Sequence, residues 1–406
     1  MKPTGVNMTN VKQINRSYVL QLLLTKGAMS RTDLANELDL TTATLTSICS
    51  DFIQRGLIVQ LDKADQHISG RKKCPLEINA TYKYVVAISL HYNGHFIAIT
   101  DLCGKLIAGE ALEIEKGVDP ETFFHSVAAA SIRMLWEHHI PSEAVLGAGV
   151  CIIGPVDQDR GVALHPFKIF EETNVPVRDM LERELPFPVC VESNVCSFLT
   201  AETLLGDAAG NTLLAVKWGP GVGSASSIAG IISKDASYNS TEIGHTFYYQ
   251  DSEQRCKCDR VGCLETGVCL ARIIERIEQL FPESQALCEV HAQYGAPSVH
   301  NIKHYLSADC TELRAFVDRL SRDLAVGVNN AVRVFPPDQI ILFGVLFESD
   351  YAFQSFLAHF HELNPGVRDT LFVRSRLENK LEYIGPAAIA IKTFFLETGG
   401  EEFFNA

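Results

Sequence analysis

The sequence of 406 residues holds no apolar run long enough to span a bilayer, which excludes a helical membrane protein. Its opening, MKPTGVNMTN, lacks the cationic start and apolar stretch of a secretory signal, so a cytoplasmic setting is expected. In that setting the twelve cysteines are expected to be reduced thiols and not disulfides. Low-complexity tracts are absent too, so the chain should be globular throughout, with length for two or three domains. Cations are the minority charge: 35 Lys and Arg face 49 Asp and Glu, a net −14. Taken over the whole chain, that balance argues against nucleic acid as a partner.

The deficit of cations is uneven. Residues 1–80 carry ten Lys and Arg and seven Asp and Glu, or +3, whereas the remainder carries 25 and 42, or −17. A small basic module joined to a large acidic body fits this split. Within the module, Asn10 is placed to cap a helix over 11–26, with Ile14, Tyr18, Leu22, Val19 and Leu23 apolar and Gly27 as its stop. Ser30 caps a short helix over 31–38, and Thr41 caps a third over 42–55, with Leu45, Ile48 and Phe52 inward. Two short helices joined by a tight turn resemble a helix-turn-helix. Residues 57–79 read as two strands around a polar loop, the wing of a winged helix. Arg71, Lys72 and Lys73 stand together at its base, where cations neutralise phosphates. The third helix is rich in hydroxyls: Thr41, Thr42, Thr44 and Ser47 are the candidates for touching DNA. It has no cation before Arg55, so affinity must lean on Arg71, Lys72, Lys73 and on pairing of two chains. A surface hairpin without DNA contact is the plainer alternative.

From Tyr84 onward strands and helices alternate. YVVAISLHYNGHFIAITD and LLAVKWGPGVGSASSIAGIIS both read as hairpins, each followed by alternating helices and strands. A duplicated α/β body follows. LEYIG, residues 381–385, is expected to be a strand, followed by a closing helix from Pro386.

Residues 242–267, EIGHTFYYQDSEQRCKCDRVGCLETG, concentrate three cysteines and a histidine. His245, Cys256, Cys258 and Cys263 make a complete tetrahedral set for Zn²⁺, and four protein ligands make the metal structural, with no open position for catalysis. Reduced cysteines without metal are the plainer alternative. The remaining nine cysteines, Cys49 and Cys151 among them, are expected to be small core residues.

With these residues the chain resembles the ROK family, which comprises sugar kinases and repressors of sugar operons built on the same body plus an N-terminal winged helix. Glu242-Ile243-Gly244-His245 matches its E-x-G-H motif. Cys256 to Glu265 matches its C-x-C-G-x-x-G-C-x-E motif, with Asp259 where glycine is usual. The resemblance implies an α/β fold with an N-terminal winged helix-turn-helix and a two-lobed actin/hexokinase-like body. The expected domains are 1–80 for DNA, 81–200 for the first lobe, and 201–385 for the second lobe with the zinc loop. The C-terminal helix, 386–406, is expected to pack back on the first lobe. The resemblance also implies that Glu242 and Glu265 accept hydrogen bonds from sugar hydroxyls and that His245 contacts the sugar with the nitrogen not on zinc. Asn194 falls where the family's kinases carry the aspartate base, in Glu192-Ser193-Asn194-Val195, and an amide takes no proton from a hydroxyl. The kinases' D-x-G-G-T-K phosphate loop is replaced by Ser89-Leu90-His91-Tyr92-Asn93-Gly94. Gly219-Pro220-Gly221-Val222-Gly223 resembles their second phosphate turn but is equally a plain hairpin turn. His165-Pro166-Phe167-Lys168 departs from their sugar loop.

The expected function is therefore a regulator without enzymatic activity, a repressor of a carbohydrate operon. It would bind an inverted-repeat DNA site as a homodimer or dimer of dimers, with a small sugar or sugar phosphate as effector, one structural zinc per chain and no membrane contact. The alternatives are an ATP-dependent sugar kinase with a DNA-binding appendage, or a repressor governed by a protein partner.

Overall fold

The computed structural model describes residues 8–61, 74–91, 94–115, 117–167 and 169–401. Its contacts divide the chain into two compact units, residues 1–206 with 380–406, and residues 207–379.

The first unit opens with α1 (Met8–Lys26), β1 (Met29–Ser30), α2 (Arg31–Glu37), α3 (Thr42–Gln54), β2 (Ile58–Gln60) and β3 (Pro75–Ile78). The strands form an antiparallel sheet in the order β1-β3-β2. Ser30 and Thr41 cap α2 and α3 through hydroxyls that accept from the amides of Asp33 and Thr44. Each satisfies a donor that the first helical turn would otherwise leave unpaired. Leu20, Leu23, Leu34, Leu45, Phe52, Leu57 and Leu76 fill the space between helices and sheet. Two expectations fail on α1. It starts at Met8, so Asn10 lies inside the first turn. Its inward face is Arg16, Val19, Leu20 and Leu23, while Ile14 and Tyr18 are exposed. Val19 and Leu23 are inward as expected, while the buried Arg16 takes the place expected for Ile14 and Tyr18.

The rest of this unit is β4 (Tyr84–His91), β5 (Gly94–Asp101), β6 (Leu106–Leu112), α4 (Pro120–Glu137), β7 (Val145–Ile152), the short pair β8 (Val156–Asp157) and β9 (Val162–Ala163), α5 (Val177–Glu182), β10 (Val189–Ser193) and α6 (Asn194–Leu205). The main sheet runs β10-β7-β4-β5-β6. β4, β5 and β6 are an antiparallel meander, and β7 and β10 add in parallel beside β4.

The second unit repeats this plan. It contains β11 (Thr212–Trp218), β12 (Val222–Ile228), β13 (Ile231–Ile232), α7 (Leu264–Val268), α8 (Leu270–Leu280), α9 (Gln285–Tyr294), α10 (Ile302–Leu306), α11 (Thr311–Val334), β14 (Gln339–Phe343), α12 (Asp350–Leu363) and β15 (Phe372–Arg374). Its sheet runs β13-β12-β11-β14-β15, with an antiparallel meander and then two parallel strands beside the first. The duplicated α/β plan expected from the two hairpins is thus present in strand order and direction.

LEYIG is not a strand. Residues 381–383 form a turn, and α13 (Ile384–Ile391) begins inside the stretch. Pro386 fits a first helical turn, where its missing N–H has no partner to lose. α13 packs on α6 and across β4, β7 and β10. Any side chain at Gly149 of β7 would collide with the Pro386 carbonyl, which makes glycine obligatory there. Beyond a π-helical turn over Lys392–Leu396 the chain reaches the N-terminal module. Arg16, 3% exposed, donates to the Gly399 carbonyl at 2.9 Å and pairs with Asp51 at 2.5 Å. Its other terminal nitrogen lies 3.0 Å from a Glu401 carboxylate oxygen, close enough for an ion pair but not aligned as a hydrogen bond. Arg55 donates to the Gly400 carbonyl and pairs with Glu401. Gly400, at φ 74°, presses on Leu57 where a Cβ would clash.

Candidate metal centre

The Cys/His loop is built on the β11–β12 hairpin and on α7. Gly244 lies so close to the Val222 carbonyl that a side chain there would overlap it, which is the physical reason for glycine between Glu242 and His245. The Ile243 amide donates to the Ser224 hydroxyl at 3.0 Å, and a short 3-10 turn, Ile243–His245, then aims the imidazole. Cys256 and Cys258 sit on a tight turn closed by Asp259 N–H to Cys256 C=O and Cys256 N–H to Arg260 C=O. Asp259 holds φ 64° at its corner. Glycine is the residue with no steric penalty there, so aspartate is a tolerated substitute. The Leu264 amide bonds the Thr246 carbonyl and closes the loop as α7 begins. Leu264 packs on Gly327 of α11, again without room for a Cβ.

This local geometry brings together four of the candidate ligands. The Nδ1 of His245 and the sulfurs of Cys256, Cys258 and Cys263 all lie within 4.8 Å of one another. Cys256 Sγ is 3.4 Å from His245 Nδ1, and Cys258 Sγ is 3.5 Å from Cys263 Sγ. Bonds of about 2.3 Å to sulfur and 2.0 Å to nitrogen give tetrahedral edges of about 3.5–3.8 Å, so the set fits a single ion. Burial pushes the Cys258 thiol up, but hydrogen bonds with Arg260, Cys263 and Cys256 together outweigh it, leaving the thiol below its ordinary value. Burial raises Cys256 and lowers the imidazole of His245, which favours the neutral ring that a metal requires.

The two flanking carboxylates differ. Glu265, on α7, is buried. One of its oxygens accepts the Val222 amide at 3.1 Å and lies 3.4 Å from Lys257 Nζ, and the other lies 3.2 Å from Cys256 Sγ. Lys257, between the two cysteines, has a role that the sequence reading did not assign; a lysine inside a thiol motif that also contains a glutamate was the available signal. Glu242 is half exposed, 3.5 Å from His245 Nε2. Desolvation raises its carboxyl above the ordinary value, against the pull of Lys257. His245 therefore points Nδ1 at the thiols and Nε2 at Glu242, which fixes its tautomer if a metal is held.

The other candidates lie elsewhere. Asn194 is the first residue of α6, in the first unit, partly buried. Ser89 is fully buried in β4, its hydroxyl 3.2 Å from Cys151 Sγ and 3.3 Å from His91 Nε2. The β4–β5 ladder runs as far as His91 opposite Gly94, while Tyr92 and Asn93 are outside the described residues. Gly219–Val222 is a tight hairpin turn, with Trp218 paired to Val222. Thr41, Thr42, Thr44 and Ser47 are exposed at the start of α3, and the hydroxyls of Thr41 and Thr44 lie 2.9 Å apart within the cap. Arg71, Lys72, Lys73 and Lys168 lie outside the described residues. No helix among the described residues is long and apolar enough to cross a membrane.

Three comparisons bear on this architecture. The sequence profile of the ROK family matches residues 97–393. A xylose repressor of Caldicellulosiruptor bescii is 23% identical over 400 residues, covering 95% of this chain and 97% of that one. Among solved structures, a ROK family transcriptional regulator described as a homologue of the E. coli Mlc protein superposes with a TM-score of 0.77 at 20% identity, over 96% of this chain and 98% of its own. A ROK family glucokinase from Streptomyces griseus, solved with glucose and AMPPNP, gives a TM-score of 0.65 at 18% identity, over 76% of this chain and 99% of its own.

Proposed function

The chain belongs to the ROK family, and we propose that it is a DNA-binding transcriptional repressor of carbohydrate genes, with a sugar or sugar phosphate as its effector. The observation that carries this reading is the N-terminal module, three helices and a three-stranded sheet, attached to a ROK body. Its element order, α1-β1-α2-α3-β2-β3 with the sheet β1-β3-β2, supports reading it as a winged helix-turn-helix in which α3 is the reading helix. A full-length resemblance to a repressor and a body-only resemblance to a glucokinase support it.

In this reading residues 1–80 dock on one half of an inverted repeat, and two chains, or a dimer of dimers, occupy the whole site. Thr41, Thr42, Thr44 and Ser47 meet the DNA from α3, and Arg71, Lys72 and Lys73 neutralise phosphate. Residues 81–200, with the C-terminal helix, and residues 201–385 are the two lobes. His245, Cys256, Cys258 and Cys263 hold one structural Zn²⁺, which when bound fixes the loop that carries Glu242. Glu242, His245 and Glu265 of the second unit, and Asn194 of the first, are the residues read as partners of sugar hydroxyls, and Glu265 also holds Lys257 and the Val222 amide. The protein works in the cytoplasm.

We do not assign kinase activity. Asn194 carries no base, and the stretch at Ser89 is a hairpin whose ladder continues to its last pair. α6 starts at Asn194 and packs on α13, whose continuation grips Arg16 and Arg55. That gives a packed route from an effector at Asn194 to the DNA module.

The test is selection of genomic fragments by the zinc-loaded protein, at low and high salt, with and without pooled sugars. Recovery of a few fragments sharing an inverted repeat, lost at high salt and released by one pool, is the expected outcome. Recovery of no specific fragment at low salt would overturn the reading.

A further inference from the structure

The first unit contains a cavity of about 380 Å³ that is separate from every residue assigned above to sugar or metal. It lies within the size range of small-molecule sites. Its wall is aromatic and aliphatic: Tyr82, Val145, Phe187, Phe394 and Phe395. Phe187, Phe394 and Phe395 are buried, and the rings of Tyr82 and Phe395 lie 6.5 Å apart, tilted by 42°. Gly400 and Glu401 close the cavity toward the N-terminal module.

One charged group at this wall has no counter-charge among the described residues. Lys83, half-buried, donates from Nζ to the Glu143 carbonyl at 2.5 Å. Among the described residues no carboxylate lies within ion-pair distance of it. The carboxylate of Glu401 is held by Arg16 and Arg55 at 3.0 and 3.2 Å, and Glu143 is exposed to water. An ammonium has three donors, and a single neutral carbonyl engages only one of them. Aromatic walls beside an unpaired cation select a flat apolar body that carries a carboxylate.

We propose that this cavity is a second ligand site, for a small aromatic carboxylate whose ring lies against Phe187, Phe394 and Phe395 and whose carboxylate meets Lys83. The site gives such a ligand a lever on DNA binding. Its far wall, Gly400 and Glu401, is the segment that holds Arg16 on α1 and Arg55 on α3. A bound ring fills the space behind that segment and fixes it against the module. The proposal does not depend on the identity of the effector in the sugar reading.

The experiment uses the full-length protein, with phenylacetate, benzoate and 3-phenylpropionate as probes and benzyl alcohol as the uncharged control, read by calorimetry and ligand-observed NMR. For about ten heavy atoms in a preformed pocket, a Kd of about 1 mM or tighter is expected for one of the acids. Lys83→Gln keeps a donor for the Glu143 carbonyl and removes the charge. It should weaken the acid at least about tenfold and leave benzyl alcohol unchanged. Leu146→Trp, which fills the cavity from β7, should abolish binding of acid and alcohol alike. Circular dichroism and melting of both variants establish that they are folded; if one is not, the other decides. No saturable binding of any acid up to about 10 mM, equal affinity in Lys83→Gln, or undiminished binding in Leu146→Trp would each overturn the proposal.

Discussion

Replacing Arg16 by alanine measures how firmly the C-terminal segment holds the N-terminal module. The guanidinium reaches Asp51 on α3, the Gly399 carbonyl and Glu401, and its central carbon lies 4.5 Å from the centre of the Phe52 ring. The two carboxylate side chains are 43% and 61% exposed, so water resolvates them when the arginine is removed, and their ion pairs contribute little. The buried partners matter more. The Gly399 carbonyl loses its donor at a cost of about 1–3 kcal/mol. Loss of the cation over Phe52 adds about 1 kcal/mol, and the void left by the side-chain methylenes adds about another 1 kcal/mol. The expected loss for Arg16→Ala is about 3–5 kcal/mol, confined to the module and its junction. Arg16→Lys retains a charge but neither the fork nor the stacking, and should lose about half as much. Hydrogen exchange of α1 and α3 reads this directly, with the amides of β11 and β14 in the second unit as an internal reference. Unchanged protection in α1 and α3, or a loss below about 0.5 kcal/mol, would refute the assignment of Arg16 as the tie.

Two further outcomes follow from the sites. Replacing Cys256 and Cys258 together by serine should leave the protein without bound zinc by elemental analysis and lower its stability by several kcal/mol, about the range of a structural site, with the loss of protection centred on 242–267; a variant that retains stoichiometric zinc would remove these residues from the ligand set. Asn194→Asp restores a base at α6 and should still release no ADP from ATP with a sugar panel, because Ser89, buried in β4, stands where the family's kinases carry the aspartate of their phosphate loop. Turnover by that variant would show that the phosphate loop is dispensable here.

Features fixed by short-range chemistry were legible in the sequence. Ser30 and Thr41 cap helices because their hydroxyls need only an amide three residues on. The Cys/His set assembles because Cys256 and Cys258 share one turn and Cys263 follows five residues on as the cap of α7, and His245 is brought in by a glycine that lies against β12. What was missed depends on partners far away in sequence. Arg16 is turned inward by residues 399–401, and nothing near position 16 announces them, so Ile14 and Tyr18 were assigned to the core. LEYIG carries an apolar run too short to separate helix from strand. Its state is decided by packing of Gly385 against Ser197 and of Pro386 against Gly149. The burial of Glu265 was not legible either, because it depends on Val222 and Lys257 together.

The duplicated topology places the metal loop beside the β11–β12 hairpin, whose tip can be compared with a phosphate-binding turn. The β4–β5 and β11–β12 hairpins occupy the same place in their two sheets, as the first pair of each antiparallel meander. A turn that holds phosphate must leave backbone N–H groups open at its tip. At the second tip the Gly219 amide is bonded to the Gly221 carbonyl, and the Val222 amide to Glu265. A Cβ on Gly221 would stand 2.6 Å from the same Glu265 carboxylate, so the turn is already covered by α7. One of its donors, the Val222 amide, is engaged by the residue that also reaches Lys257 and Cys256. Gly221 thus serves the approach of Glu265 to the backbone, and Glu265 links the hairpin to Lys257 and Cys256 of the Cys/His loop.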